Sequence, residues 1–269
     1  MRLLALGLLV SVACSSPAAL QKRDDLLPTL RSSGFDGVFV AWEARTGKGV
    51  CVGGDLCSTR FPPASTFKVP HALLALDYGV VSGPEERFKW DGKKRWLDVW
   101  NKDHTLRGGI RHSVVWYFRR LAPMIGGARM RKGLARLRYG NQSIGTKLDL
   151  FWLDGSLKIS PIEQVRFWHG LHSGKFKTTM RARQQTLDMA TLGRANGYTL
   201  RAKTGWDRRS GKTNHGWLTG CLDGPKRICF ATLLFAKDPF DLKKFIRARF
   251  SATAAMLAKL GYVMPKRDK

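Results

Sequence analysis

The sequence predicts an α+β fold: a central antiparallel sheet built from both chain ends, flanked by helices, with a mostly helical lobe inserted between its early and late strands. Three observations lead there. Strand-like runs occur at residues 35–52 and again at 198–235, helical periodicity dominates residues 65–195, and a long helical segment follows Asp238-Pro239. A sheet with one such insertion must cover its apolar face with helices. At 269 residues, 43% of them hydrophobic, the chain suits one substantial folded unit better than two full domains.

Taken in order, residues 1–19 read as a secretory signal peptide, with Arg2 at the start, an apolar stretch over 3–12 and small residues up to Ala19. The stretch is too short to span a bilayer, and a buried N-terminal helix is the alternative. Cys14 follows Ser11-Val12-Ala13, which partly resembles a lipoprotein cleavage box but lacks the large aliphatic residue three positions before the cysteine. Lipidation at Cys14 is therefore an open alternative to simple cleavage. Secretion, to the periplasm or beyond, is the expected fate.

Residues 35–42 alternate and favour β structure, Arg45-Thr46-Gly47-Lys48 forms a turn, and residues 49–52 return, giving a hairpin. Pro62-Pro63 limits where the next helix can begin and places Ser65 near its N-terminus, where free amides favour a developing anion. Pro70 has no amide hydrogen for the carbonyl of Thr66, so the first turn after Ser65 must be distorted or open. Helical patterns follow at 69–76, 114–125, 130–137 and 161–171, then strands at 198–202, 216–222 and 228–235, then a helix to about Leu260.

The chain carries 47 Lys and Arg against 20 Asp and Glu, a formal net charge of +27. The basic clusters are scattered along the whole chain and not gathered into one stripe, and no nucleic-acid-binding motif accompanies them. Solvated basic faces are the expectation, with attraction of small anions as a by-product. A dead hydrolase fold that binds nucleic acid or cell envelope is the competing reading of the charge. Apart from Cys14, four cysteines remain, at 51, 57, 221 and 229. Three pairings are open, local pairs 51–57 and 221–229 are preferred, and four free thiols are the alternative. Their spacing fits no zinc pattern, and His169 and His172 lack a third ligand, so no metal is expected.

Ser65 and Lys68 in Ser65-Thr66-Phe67-Lys68 stand three residues apart, a spacing that stacks a base over a nucleophile on a helix. A lysine of reference pKa about 10.4 needs desolvation or chemical change to act as that base. Further along lie Ser113-Val114-Val115, Tyr139-Gly140-Asn141, Phe151-Trp152-Leu153 and Lys203-Thr204-Gly205. With these motifs in this order, over roughly residues 30–262, the chain resembles the class D serine β-lactamases, the oxacillinase family. Val114 stands where the class A enzymes carry aspartate in a Ser-Asp-Asn element.

The resemblance implies a catalytic domain over residues 24–269 that hydrolyses the cyclic amide of penicillins and oxacillin-like β-lactams through an acyl-serine. It makes Ser65 the nucleophile and Lys68 a lysine carboxylated by CO2 whose carbamate serves as general base, with no conventional cofactor. Trp152 would donate to that carboxylate, and Val115 and Leu153 would keep its site dry. Ser113 would pass a proton to the leaving nitrogen, assisted by Lys203. The amides of Ser65 and Trp206 would form an oxyanion hole. Thr204, Gly205 and Arg249, preferred over Arg247, would meet the substrate carboxylate, and Tyr139 and Asn141 would border the cleft. The alternative within this fold is a β-lactam sensor that acylates with little turnover. The sequence specifies neither a nucleic-acid partner nor an oligomeric state.

Overall fold

The computed structural model describes residues 20–208 and 213–268; the expected leader and Cys14 lie outside the described residues. In chain order the elements are β1 (Gln21–Lys22), α1 (Leu27–Arg31), β2 (Asp36–Glu43), β3 (Gly49–Val52), α2 (Lys68–Asp77), β4 (Arg87–Phe88), β5 (His104–Thr105), α3 (Leu106–Arg111), α4 (Val115–Ile125), α5 (Gly127–Leu137), α6 (Pro161–Ser173), α7 (Met180–Met189), β6 (Thr191–Ala195), β7 (Tyr198–Asp207), β8 (Asn214–Asp223), β9 (Ile228–Ala236) and α8 (Leu242–Lys259).

Seven strands form one sheet in the order β1-β3-β2-β9-β8-β7-β6. Early and late strands meet where β2 pairs with β9, joining the two chain ends as the sequence predicts. The sheet is antiparallel except at one edge, where the two-residue β1 runs parallel to β3, so it is mixed and not purely antiparallel. So short a strand leaves no alternation to read.

β2 shows why the sheet needs helices on both sides. Val38, Val40 and Trp42 point into one core, while Phe39 and Ala41 point into another, the period-two division a strand imposes. The first core continues through α6 into the helical lobe of α2 to α5 and α7. The second is closed by α1 and α8, where Phe245, Ala248, Ala252 and Met256 face the sheet.

Local signals fix the helix ends. Ser160 accepts from the Glu163 amide while Glu163 accepts from the Ser160 amide, a reciprocal capping box with Pro161 in the first turn of α6. Asp241 caps α8, accepting from the Lys244 amide at 2.9 Å, so this helix starts after Asp241 and not at Asp238. α3 is short and carries Gly108 and Gly109, poor helix formers that hide it from periodicity. β7 runs on to Asp207, which places Lys203-Thr204-Gly205 inside the strand and not at its end. Both local disulfides form, Cys51 with Cys57 and Cys221 with Cys229. The latter two are cross-strand partners in the β8–β9 register.

Candidate active site

The segment Ala64–Phe67 is a 3-10 turn, and α2 begins only at Lys68. The tight turn accommodates Pro70, which could not have closed an α-helical bond to Thr66. Ala64 enters it with a left-handed backbone, φ 46°. Thr66 Oγ donates to the Pro63 carbonyl at 2.8 Å and accepts from Gln164 Nε2 at 2.8 Å, tying the turn to α6. Trp217 of β8 donates its indole N–H to the Pro62 carbonyl at 2.9 Å. Ser65 is therefore presented, half-buried, on a turn braced from two sides.

Lys68 Nζ donates to Ser65 Oγ at 2.8 Å. Lys68 has no exposed surface, and burial alone pulls its pKa down to about 7. A half-neutral amine in contact with a hydroxyl is a base poised to take its proton. Phe118 lies under it, with Nζ 5.4 Å from the ring centre. No carboxylate forms an ion pair with Lys68 among the described residues.

Facing this pair across the cleft, Lys203 Nζ donates to Ser113 Oγ at 2.5 Å and to the Thr204 carbonyl at 3.1 Å. Ser113 sits between α3 and α4 with φ 56°, a costly conformation for a non-glycine that surrounding structure must impose. The preceding residue is held by Trp100, whose indole donates to the His112 carbonyl at 2.9 Å, and Trp116 in turn donates to the Trp100 carbonyl at 2.8 Å. Neither tryptophan belongs to the motifs: Trp100 precedes Ser113 by a stretch with no periodic signal, and Trp116, three residues after it, reads as an ordinary helix aromatic. Burial first, then the charges of Lys68, Arg249 and Arg267, hold the Lys203 pKa well below its ordinary value.

β7 approaches the serine turn closely because residue 205 is glycine. A Cβ there would stand 2.8 Å from the Pro63 carbonyl oxygen and 3.3 Å from the Thr66 amide nitrogen. Arg249 of α8 is buried and donates to the Gly205 carbonyl at 3.1 Å, whereas Arg247 on the same helix is exposed. Burial lowers the Arg249 pKa to about 10, still protonated at neutral pH. Thr204 and Trp206 are half-buried beside it, and the Trp206 indole donates to Asn214 Oδ1 at 3.3 Å. Arg249, with Lys203 beside it, makes this cleft attractive to an anion.

The remaining predicted positions divide. Trp152 is fully buried against Phe67, Phe151 and His71, and its Nε1 has no hydrogen-bond partner. Val115 is the first residue of α4 and Leu153 lies against the core, both half-buried. Tyr139 lies beneath the cleft and not at its border: it has no exposed surface and its ring is wedged between Phe67, at 5.5 Å, and Phe167, at 5.2 Å. Burial pushes its phenol above the ordinary range. An aromatic at a turn carries no sequence mark of whether it faces in or out. Asn141 is exposed and clamps a loop, accepting from the Lys158 amide at 2.9 Å and donating to the Ser156 carbonyl at 2.9 Å. His169 packs at a tilt against Trp42 and the His172 ring faces Asp223; among the described residues no group of His, Cys, Asp and Glu is arranged to hold a metal ion.

A family model for the penicillin binding protein transpeptidase domain matches residues 37–248. Among curated relatives, β-lactamase OXA-48 of Klebsiella pneumoniae is 40% identical over 195 residues, 72% of this chain and 73% of that protein. β-Lactamase OXA-10 of Pseudomonas aeruginosa is 33% identical over 229 residues, 82% and 85% of the two chains. Among solved structures, the class D β-lactamase YbXI from Nostoc superposes with a TM-score of 0.83 at 33% identity, covering 88% of this chain and 99% of that one. The class D β-lactamase from Sebaldella termitidis gives a TM-score of 0.86 at 28% identity, covering 91% and 100%.

Proposed function

Because this chain belongs to the class D β-lactamase family, within the penicillin-binding transpeptidase fold, we propose that it hydrolyses β-lactam antibiotics through an acyl-enzyme on Ser65. The observation that carries the reading is the contact of a desolvated Lys68 amine with the Ser65 hydroxyl at 2.8 Å, on a turn facing the Lys203–Ser113 pair.

Lys68 takes the proton of Ser65 as Oγ bonds to the β-lactam carbonyl carbon. The developing oxyanion is met by the backbone N–H groups of Ser65 and Trp206, brought together by the close approach of Gly205 to the serine turn. As the C–N bond of the ring breaks, Ser113 Oγ gives its proton to the leaving nitrogen. Lys203 occupies the acceptor side of that hydroxyl, leaving its own hydrogen free to point at substrate. The substrate carboxylate binds Thr204 and Arg249, and its charge also favours protonation of Lys203. The proton held by Lys68 then replaces the one Ser113 has given up, which leaves Lys68 free to act again; water attacks the ester as Lys68 takes its proton, and Ser65 Oγ departs with that proton returned to it.

Trp152 supports a carboxylated Lys68. A fully buried indole N–H without an acceptor is rare, and it lies in the same apolar chamber as the amine. A neutral amine can add CO2, and the carboxylate so formed is an anionic base that stays unprotonated at neutral pH, where the free amine is half protonated. Val115 and Leu153 are suited by their half-buried apolar side chains to limit water there.

We further read residues 1–19 as an export leader to the periplasm, supported by the disulfides, which persist in oxidising compartments. No helix among the described residues is long and apolar enough to cross a membrane. Mass measurement of the mature N-terminus separates cleavage near Ala19 from lipidation at Cys14.

The test is a kinetic panel of penicillins and a chromogenic cephalosporin at fixed bicarbonate, with mass spectrometry of Ser65. Sustained turnover with a transient Ser65 adduct is expected. A burst without turnover would move the protein to the sensor class, and neither adduct nor hydrolysis would sink the reading.

A further inference from the structure

Trp152 is not alone in lacking a partner beside Lys68. His71 stands three residues along α2 from Lys68, on the same face of the helix. It has no exposed surface, and neither Nδ1 nor Nε2 has a hydrogen-bond partner. Its ring centre lies 5.2 Å from Trp152, 5.2 Å from Phe118 and 5.4 Å from Phe67. Lys68 Nζ sits 5.4 Å over the same Phe118 ring. Lys68, Trp152 and His71 thus lie around the same Phe67 and Phe118 rings, with the buried nitrogens of Trp152 and His71 unpartnered. Native folds seldom leave two adjacent buried donors unpaired, and what both lack is an acceptor.

We propose that His71 is a positioning residue of the reaction, holding, together with the Trp152 indole, the carboxylate that CO2 adds to Lys68 Nζ. The proposal rests on the carboxylation of Lys68. In that step unprotonated Nζ bonds to the CO2 carbon, one C–O π pair becomes the oxyanion, and the nitrogen's proton passes to solvent. Burial first, and the Lys68 charge second, lower the His71 pKa to about 3. The ring is therefore neutral throughout the working range, with one N–H to donate. An ammonium at Lys68 offers that N–H nothing, whereas a carboxylate accepts it. The differential contact shifts Lys68 toward its carboxylated form.

The test compares the intact protein with His71→Leu and His71→Gln by titrating 13C-bicarbonate and following both the carbamate 13C signal and activity. His71→Leu should need about tenfold more bicarbonate for half-maximal carboxylation, and His71→Gln, which restores an N–H, should return to within about threefold of the parent. In parent protein labelled with 15N-histidine, the His71 ring resonances should move when bicarbonate is removed and return when it is restored, a readout independent of any variant's folding. Unchanged half-saturation in a folded His71→Leu, or ring resonances indifferent to bicarbonate, would overturn the role of His71. Active parent protein without a carbamate signal would overturn carboxylation itself and this proposal with it, a failure distinct from the first two.

Discussion

Ser65 and Lys68 show what a three-residue spacing can and cannot encode. The contact between them is local, so the motif suffices to predict it. The lowered pKa of Lys68 is not local, because it comes from residues such as Phe118 that fold over the amine from another helix. In the unfolded chain this lysine keeps its proton to about pH 10.4, but in the fold it releases it near 7. Between those values the unfolded state binds more protons, so stability rises with pH there; below pH 7 the full cost of burying the group remains. In CO2-free buffer, urea denaturation should show the parent gaining on Lys68→Met by up to about 1.4 kcal/mol per pH unit between pH 7 and 9. Parallel pH profiles would refute the buried amine. Catalytically, Lys68→Ala should lower kcat for penicillin hydrolysis by about 10²- to 10⁴-fold, the range expected for loss of a general base, with steady-state kinetics as the readout.

Elements, more than individual residues, bring the two halves of the site together. Ser113 and Lys203 are 90 residues apart and bond because α3 ends opposite β7. β2 and β3 were legible from alternation, β7, β8 and β9 as strand-like runs between turns, and α2, α4, α5, α6 and α8 from helical patterns. β1, β4, β5 and β6 are too short or too exposed to show a period, and the glycines of α3 mask its helix. Close approach of β7 to the serine turn depends on Gly205, since a methyl group would press on backbone atoms that cannot swing aside. Gly205→Ala should therefore reduce kcat/KM about 10²-fold through misplacement of the site, while thermal unfolding stays cooperative. By contrast, Ser160→Ala breaks only the α6 cap and should cost about 1 kcal/mol in urea unfolding.

At the scale of the molecule, a chain with a net charge of +27 places Lys203 and buried Arg249 in the cleft. Encounter with a carboxylate-bearing β-lactam should therefore be salt-sensitive. Raising ionic strength from about 0.02 to 0.5 M should lower kcat/KM severalfold while leaving kcat nearly unchanged, because screening acts on approach and not on chemistry inside the site. Equal kcat/KM at both strengths would show the charge to be irrelevant to capture. The sequence by itself determined the pairing of Ser65 with Lys68, the order of the motifs and the division of the sheet between chain ends, since each is written in local spacing or strand-like runs. Only the tertiary structure decided that Arg249 is buried against the Gly205 carbonyl, that Tyr139 lies beneath the cleft, and that His71 and Trp152 share the chamber of Lys68. Those outcomes depend on which groups lose water and which find partners, and that is settled by packing between segments far apart in the chain.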